Sequence, residues 1–256
     1  MHTKIKWTLL IIGVLALTLL IFSGFFTSST DDGMNGLTLT DERVEESEQT
    51  AVPTEDLTDI LILGDSIGSG VGDDEQSGFG ERYVALLEGE YHHEEVITNI
   101  SVPGYVSHQL VSKLDSGEHH AMIEEAQLII LSIGGNDLNR VRFEDDIESS
   151  FEEALSDYKD HLDSVIREIR SVNQAAQLAF IGLYNPYVRE SPELTDLLLV
   201  WNEETRSIIN SYTNTAYIPT YQLFNEDLDS YLASDHFHPS ASGHQVIAEQ
   251  LYAILN

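Results

Sequence analysis

Gly64-Asp65-Ser66-Ile67-Gly68-Ser69-Gly70 places a serine hydroxyl among glycines, directly after a short apolar run at 59–64. Glycines around a serine allow a sharp turn that presents the hydroxyl at a sheet edge, with backbone N–H groups free to face a developing oxyanion. The spacing is not Gly-x-Ser-x-Gly, and with no Lys following it is not a phosphate-binding loop. Near the C-terminus, Ser234-Asp235-His236-Phe237-His238-Pro239 supplies complementary chemistry. An Asp three residues ahead of a His can hold one ring nitrogen by a hydrogen bond and leave the other to act as a base. Between these segments lie Ser101-Val102-Pro103-Gly104-Tyr105 and Gly134-Gly135-Asn136-Asp137. The Asn136 side chain can donate an N–H to an oxyanion, and the glycines let backbone pass close to a bound molecule. Taken singly, each segment is also an ordinary polar turn, and a Pro-Gly pair carries almost no functional information.

Such groups act together only if distant parts of the chain converge. Apolar runs at 59–64, 95–100, 127–133 and 177–183, with a weaker one at 215–219, have the length and composition of buried strands. Helical spacing separates them, most clearly over 144–171, where Ile147, Phe151, Leu155, Tyr158, Leu162, Val165 and Ile169 form one apolar stripe on an acidic helix. Further helices are predicted near 79–90, 107–115, 193–212 and 242–255. Strands joined by helix-length crossovers imply a parallel sheet covered on both faces, whose sites lie beyond the carboxyl ends of the strands. The serine, Pro-Gly and Gly-Gly-Asn segments each follow a predicted strand.

In that order, Ser66, Gly104, Asn136 and the Asp235/His238 pair resemble the four sequence blocks of the SGNH hydrolases, also called the GDSL esterase/lipase family. Gly64-Asp65-Ser66 matches the first block, with Ile67 where the family name has Leu. Gly134-Gly135-Asn136-Asp137 matches the third closely, and Asp235-His236-Phe237-His238 matches the Asp-x-x-His of the last. Gly104 fits the second only loosely, since Pro103 precedes it. The resemblance spans 59–256 and implies a flavodoxin-like three-layer α/β/α sandwich around a central, mostly parallel five-stranded sheet. It further implies hydrolysis of carboxylic esters through an acyl-enzyme. Ser66 would be the nucleophile, His238 the base, Asp235 its orienting partner, and Ser66, Gly104 and Asn136 the oxyanion hole. No cofactor or metal is implied. The substrate stays open among small-molecule, lipid and glycan esters, and acyl transfer through the same residues or a non-catalytic envelope-binding module are the other readings. Gly, Ser and acidic residues in the loops at 71–79 and 184–192 tilt the expectation toward small or polar esters.

Other histidines compete for these roles. His236 lies inside the motif and His244 in the final predicted helix, with a loop contact and a helix-surface position as their plainer roles. His92-His93 and His119-His120 fall in polar stretches and read as surface residues. A metal site is the rival reading of the Asp235/His238 cluster, but no other ligand pair has matching spacing.

The 256 residues hold 44 Asp or Glu against 12 Lys or Arg, a formal charge of −32. So few cations argue against nucleic acid as a partner class. The absence of cysteine excludes disulfides, thiolate metal sites and a cysteine nucleophile. From Trp7 to Phe26 no side chain is charged, and Lys4 and Lys6 precede the run. At about 1.5 Å per residue it matches a bilayer of roughly 30 Å, which predicts a signal anchor over 1–26. A cleaved signal peptide is the competing reading, although its apolar region is usually about 7–15 residues. The lysines would stay cytoplasmic and leave the rest outside. Residues 27–58, with nine acidic residues and one Arg, read as a flexible acidic linker, and 59–256 as one domain with 35 acidic and nine basic residues. That surface repels anionic headgroups and acidic polymers at low salt.

Overall fold

Asp59–Gly64 (β1), Val96–Asn99 (β2), Leu128–Ser132 (β3), Gln177–Ile181 (β4) and Thr215–Ile218 (β5) form one sheet in the order β2-β1-β3-β4-β5, with every pairing parallel. The computed structural model describes residues 57–90, 96–188 and 193–256. This strand order is that of flavodoxin-like sheets, and it reverses direction between β1 and β3. The strands are apolar runs because both sheet faces are covered. Leu61, Leu63, Ile129, Leu131, Leu178 and Phe180 point into one core, while Ile60, Ile62, Leu128, Ile130, Ala179 and Ile181 point into the other.

The first core is closed by Ser107–Asp115 (α2), His120–Glu125 (α3), Gly135–Val141 (α4), Ile147–Val172 (α5) and Glu193–Asn210 (α6). The second is closed by Gly78–Glu90 (α1), Tyr221–Glu226 (α7), Leu228–Tyr231 (α8) and Ala241–Leu255 (α9). The result is a three-layer α/β/α sandwich. In α5, Phe151, Tyr158, Leu162, Val165, Ile166 and Ile169 are buried, and Asp146 caps the first turn by accepting from the Ser149 N–H. Burial of these side chains, worth roughly 1.5–3 kcal/mol each for the fully covered ones, outweighs the modest helix preference of the Ser, Asp and Val residues along it.

The sequence expectation placed the long helices and the strands within a few residues of these bounds. It did not anticipate α3, α4, α7 or α8, which at four to seven residues are too short to show a helical period. The anchor at 1–26, all but the last two residues of the linker at 27–58, and His92-His93 lie outside the described residues. Among the described residues, no helix is long and apolar enough to cross a membrane.

Candidate active site

β1 ends at Gly64, whose φ is +148°, and a Cβ there would lie 2.0 Å from the Ser132 carbonyl oxygen. Only glycine lets the chain turn that close to β3. The Asp65 N–H extends the ladder by donating to the Ser132 carbonyl at 2.9 Å, and the Asp65 Oδ1 accepts from the Ile67 N–H at 3.0 Å. Such an Asx turn starts a tight coil, closed by the Val71 N–H on the Ser66 carbonyl. Ser66 therefore stands at the carboxyl end of β1, where the sheet order reverses.

Leu232 bridges Pro239 in antiparallel fashion, and the Ala233 N–H donates to the His238 carbonyl, folding 232–239 into a closed loop. The Ser240 hydroxyl donates to the Ser230 carbonyl and caps α9 by accepting from the Gly243 N–H. That loop brings His238 Nε2 to 3.0 Å from Ser66 Oγ and its Nδ1 to 2.6 Å from Asp235 Oδ2. A carboxylate only accepts, so Nδ1 carries the proton and Nε2 accepts from the Ser66 hydroxyl. Asp235 Oδ1 accepts from the N–H groups of Phe237 and His238. Partial burial pushes the Asp235 pKa up, but the His238 ring and these two N–H groups outweigh it and hold the carboxyl below its ordinary range.

Gly104 sits in the loop after β2 and Asn136 at the start of α4. Val102 to Tyr105 form a turn closed by the Tyr105 N–H on the Val102 carbonyl, with Pro103 second and Gly104 third at φ +82°. This is a type II turn, which requires positive φ at its third residue and accounts for the glycine. Among the described residues, no backbone carbonyl accepts from the N–H of Ser66 or of Gly104. Asn136, in the first turn of α4, donates from Nδ2 to the Tyr105 carbonyl at 2.8 Å, leaving the second N–H of that amide. Asp137 ties the starts of α2 and α4, accepting from the Ser107 N–H and from its hydroxyl at 2.6 Å. The Ser107 hydroxyl then accepts from His161 Nδ1. Ser107 and Asp137 were not singled out from sequence, although Asp137 stands beside Asn136 in its motif.

The remaining histidines are sorted by geometry. His236 is exposed at φ +56°. His244 is not a helix-surface residue as expected but fully buried, stacking on Phe79, with Nε2 donating to the Val71 carbonyl and Nδ1 without a partner. Burial lowers its pKa, which favours the neutral ring. His120 is half-buried rather than a free surface residue and pairs with Glu168 at 2.9 Å.

Ile67, Gly135 and Phe237, the chain neighbours of Ser66, Asn136 and His238, line a cavity of about 70 Å³ that is walled further by Leu138, Leu183, Leu198 and Tyr187, with Arg142 at its side. Tyr184 to Tyr187 of the loop at 184–192 join the lining as expected, and Leu138 of α4, Leu183 just beyond β4 and Leu198 of α6 make it mostly apolar. The volume is about half that of an engineered cavity known to take benzene.

Asp65 is fully buried under Ser66. Loss of hydration raises its pKa, which the Ile67 N–H and the Ser132 hydroxyl only partly offset, leaving it pushed up to about 7. Between the ordinary 3.8 and about 7 the folded protein keeps a proton that the unfolded chain has lost. Folding stability from this group therefore falls as pH rises across that window and is flat above it. In Asp65→Asn that slope is expected to disappear. The drop in Tm between pH 5 and pH 8 should shrink by roughly 5 °C relative to wild type. An unchanged drop in calorimetric scans would show that Asp65 is ionised throughout.

Residues 62–246 match the GDSL-like lipase/acylhydrolase family. The chain is 28% identical over 218 residues to the uncharacterised protein YpmR of Bacillus subtilis, covering 81% of this chain and 86% of that one. It is 26% identical to the spore germination lipase LipC of Bacillus licheniformis, covering 75% of this chain and 93% of that one. Among solved structures, the lipase Lip_vut3 from a goat rumen metagenome superposes with a TM-score of 0.70 at 26% identity, covering 77% of this chain and 96% of that one.

Proposed function

The chain belongs to the GDSL-like lipase/acylhydrolase family, and from that premise we propose that it is a serine hydrolase cleaving short-chain carboxylic esters through an acyl-enzyme. The observation that carries this reading is the continuous chain of hydrogen bonds from Ser66 Oγ through His238 to Asp235, beside the cavity. Ser66 Oγ attacks the ester carbonyl carbon as His238 Nε2 takes its proton, and Asp235 stabilises the imidazolium that results. The negative oxygen of the tetrahedral intermediate is held by the N–H groups of Ser66 and Gly104 and the free N–H of Asn136. One such donor is typically worth about 2.7–4 kcal/mol in the transition state. Collapse expels the alcohol with the proton from His238. A water then attacks the acyl-serine, giving its proton to the same nitrogen, and the acid leaves as Ser66 regains its hydrogen.

The cavity favours an acyl group of a few carbons. With the full-length protein, kcat/KM on p-nitrophenyl esters is expected to peak between acetate and butyrate and to fall at least tenfold by octanoate. A rising profile toward octanoate or longer would favour a long-chain lipase. Absence of turnover across the series, together with no fluorophosphonate labelling, would favour the binding-module reading. The site's location belongs to the same proposal. The uncharged stretch 7–26 behind Lys4 and Lys6 supports a single-pass anchor with the hydrolase domain outside the cell.

A further inference from the structure

Arg142 follows the last turn of α4, six residues beyond Asn136, and lies on the wall of the cavity beside Ser66. The domain carries 35 acidic and nine basic residues. Arg82, Lys159, Arg167 and Arg206 each face a carboxylate, and Arg170 is taken up by backbone carbonyls. Among the described residues, no carboxylate pairs with Arg142. Its guanidinium carbon lies 4.0 Å from the centre of the Tyr187 ring and 4.7 Å from that of Phe143. Among the described residues, the Arg142 guanidinium makes one hydrogen bond, a long one of 3.4 Å from Nη1 to Asn139 Oδ1, and the Tyr187 hydroxyl reaches the same oxygen at 3.3 Å. Aromatic faces fix the plane of a guanidinium without using the N–H groups on its edge. Five N–H donors thus have one weak acceptor, in a half-buried position beside apolar walls.

We propose that Arg142 selects esters that carry an anionic group, a carboxylate or a phosphate, a few bonds from the scissile carbonyl. The inference rests on the reading of the site as an ester hydrolase. Six helical residues separate Asn136 from Arg142 by roughly 9 Å along the axis, a span set by the rise of an α-helix. A short acyl or alcohol chain bridges that span once the arginine side chain reaches inward. In a half-buried apolar setting, a paired charge holds more strongly than at the open surface. The acidic exterior works in the same direction for small molecules. Beyond a screening length of about 8 Å at physiological salt its repulsion fades, so a small monoanion reaches Arg142 while a polyanion or an anionic membrane meets the whole surface.

The anionic group can belong to either side of the ester, and two pairs of substrates separate these cases. The first pair is mono-p-nitrophenyl glutarate and p-nitrophenyl valerate, with the charge on the acyl side. The second is the butyryl ester of glycerol phosphate and monobutyrin, with the charge on the alcohol side. The measured quantity is the ratio of kcat/KM for the charged ester to that for its neutral partner. In Arg142→Ala this ratio is expected to fall about tenfold for one pair, mostly through KM, and in Arg142→Lys by less, since the charge stays but the planar fork is lost. A ratio unchanged in both pairs, in both variants, overturns the assignment and leaves Arg142 as a packing residue. Failure of the wild type to turn over either neutral ester would instead overturn the hydrolase reading, and this inference with it. Should Arg142→Ala not fold, Arg142→Lys alone decides, with an unchanged ratio counting against.

Discussion

Ser66→Ala is expected to lower kcat on p-nitrophenyl butyrate by a factor on the order of 10⁴ to 10⁶ while shifting Tm by no more than a few degrees. The asymmetry follows from what the hydroxyl touches. Among the described residues, its one hydrogen bond to a side chain is to His238 Nε2. The turn that holds it is built from backbone and from Asp65: the Asp65 Oδ1 on the Ile67 N–H, the Asp65 N–H on the Ser132 carbonyl, and the Val71 N–H on the Ser66 carbonyl. None of these uses the Ser66 side chain, so its removal deletes the attacking atom and leaves the scaffold in place. The backbone N–H of residue 66 survives the substitution too, and with Gly104 and Asn136 sustains the small residual rate that oxyanion stabilisation gives without a nucleophile. Initial rates paired with a thermal melt test this, and a fluorophosphonate probe should label wild type at Ser66 and fail on the variant. Retention of wild-type kcat would remove Ser66 from the role of nucleophile.

The parts of this molecule that were legible in its sequence are those where one physical requirement acts on consecutive residues. β1, β3 and β4 are buried on both faces, so every position from Ile60 to Leu63 or Leu128 to Leu131 had to be apolar, and the run stands out. β5 at the sheet edge is half-buried through Thr215, Ala216 and Tyr217, and its signal is correspondingly weak. The Asp235/His238 pair was visible because both partners sit on one tight loop three residues apart. What sequence spacing could not show was convergence between elements. His244 has the period of a helix residue but its burial depends on Phe79 and Val71, more than 160 positions away. The tie between Asn136 and the Tyr105 carbonyl, the Asp137–Ser107 pair and the Arg142–Tyr187 stack each join two segments whose separation in space no period encodes. The loops at 71–79 and 184–192 are polar in composition, yet the cavity is mostly apolar because Leu138, Leu183 and Leu198 arrive from α4, from just beyond β4 and from α6.

Replacing the three C-terminal histidines one at a time is expected to give three different results. His238→Ala should cost kcat about as much as loss of Ser66, because the two act as one unit: without a base Ser66 stays a neutral, weakly nucleophilic hydroxyl. The loop would keep its shape, since Asp235 Oδ1 still accepts from the backbone N–H groups of residues 237 and 238, and the Leu232–Pro239 bridge is main chain. His236→Ala should change kcat by less than about threefold, because the His236 ring is exposed and only its backbone N–H, donating to the Ala233 carbonyl, supports the turn. His244→Ala should act on stability instead. It opens space against Phe79 and removes the tie to Val71, so Tm falls while kcat measured well below the transition changes little. This buried ring also adds an acid sensitivity of its own. With its pKa lowered by burial, stability from His244 is fully present above about 6.5 and is lost as pH falls below it, because the unfolded chain takes up a proton that the folded one refuses. If His244→Ala or His236→Ala proves more damaging to kcat than His238→Ala, the base has been misassigned and the hydrogen bond between His238 and Ser66 is structural.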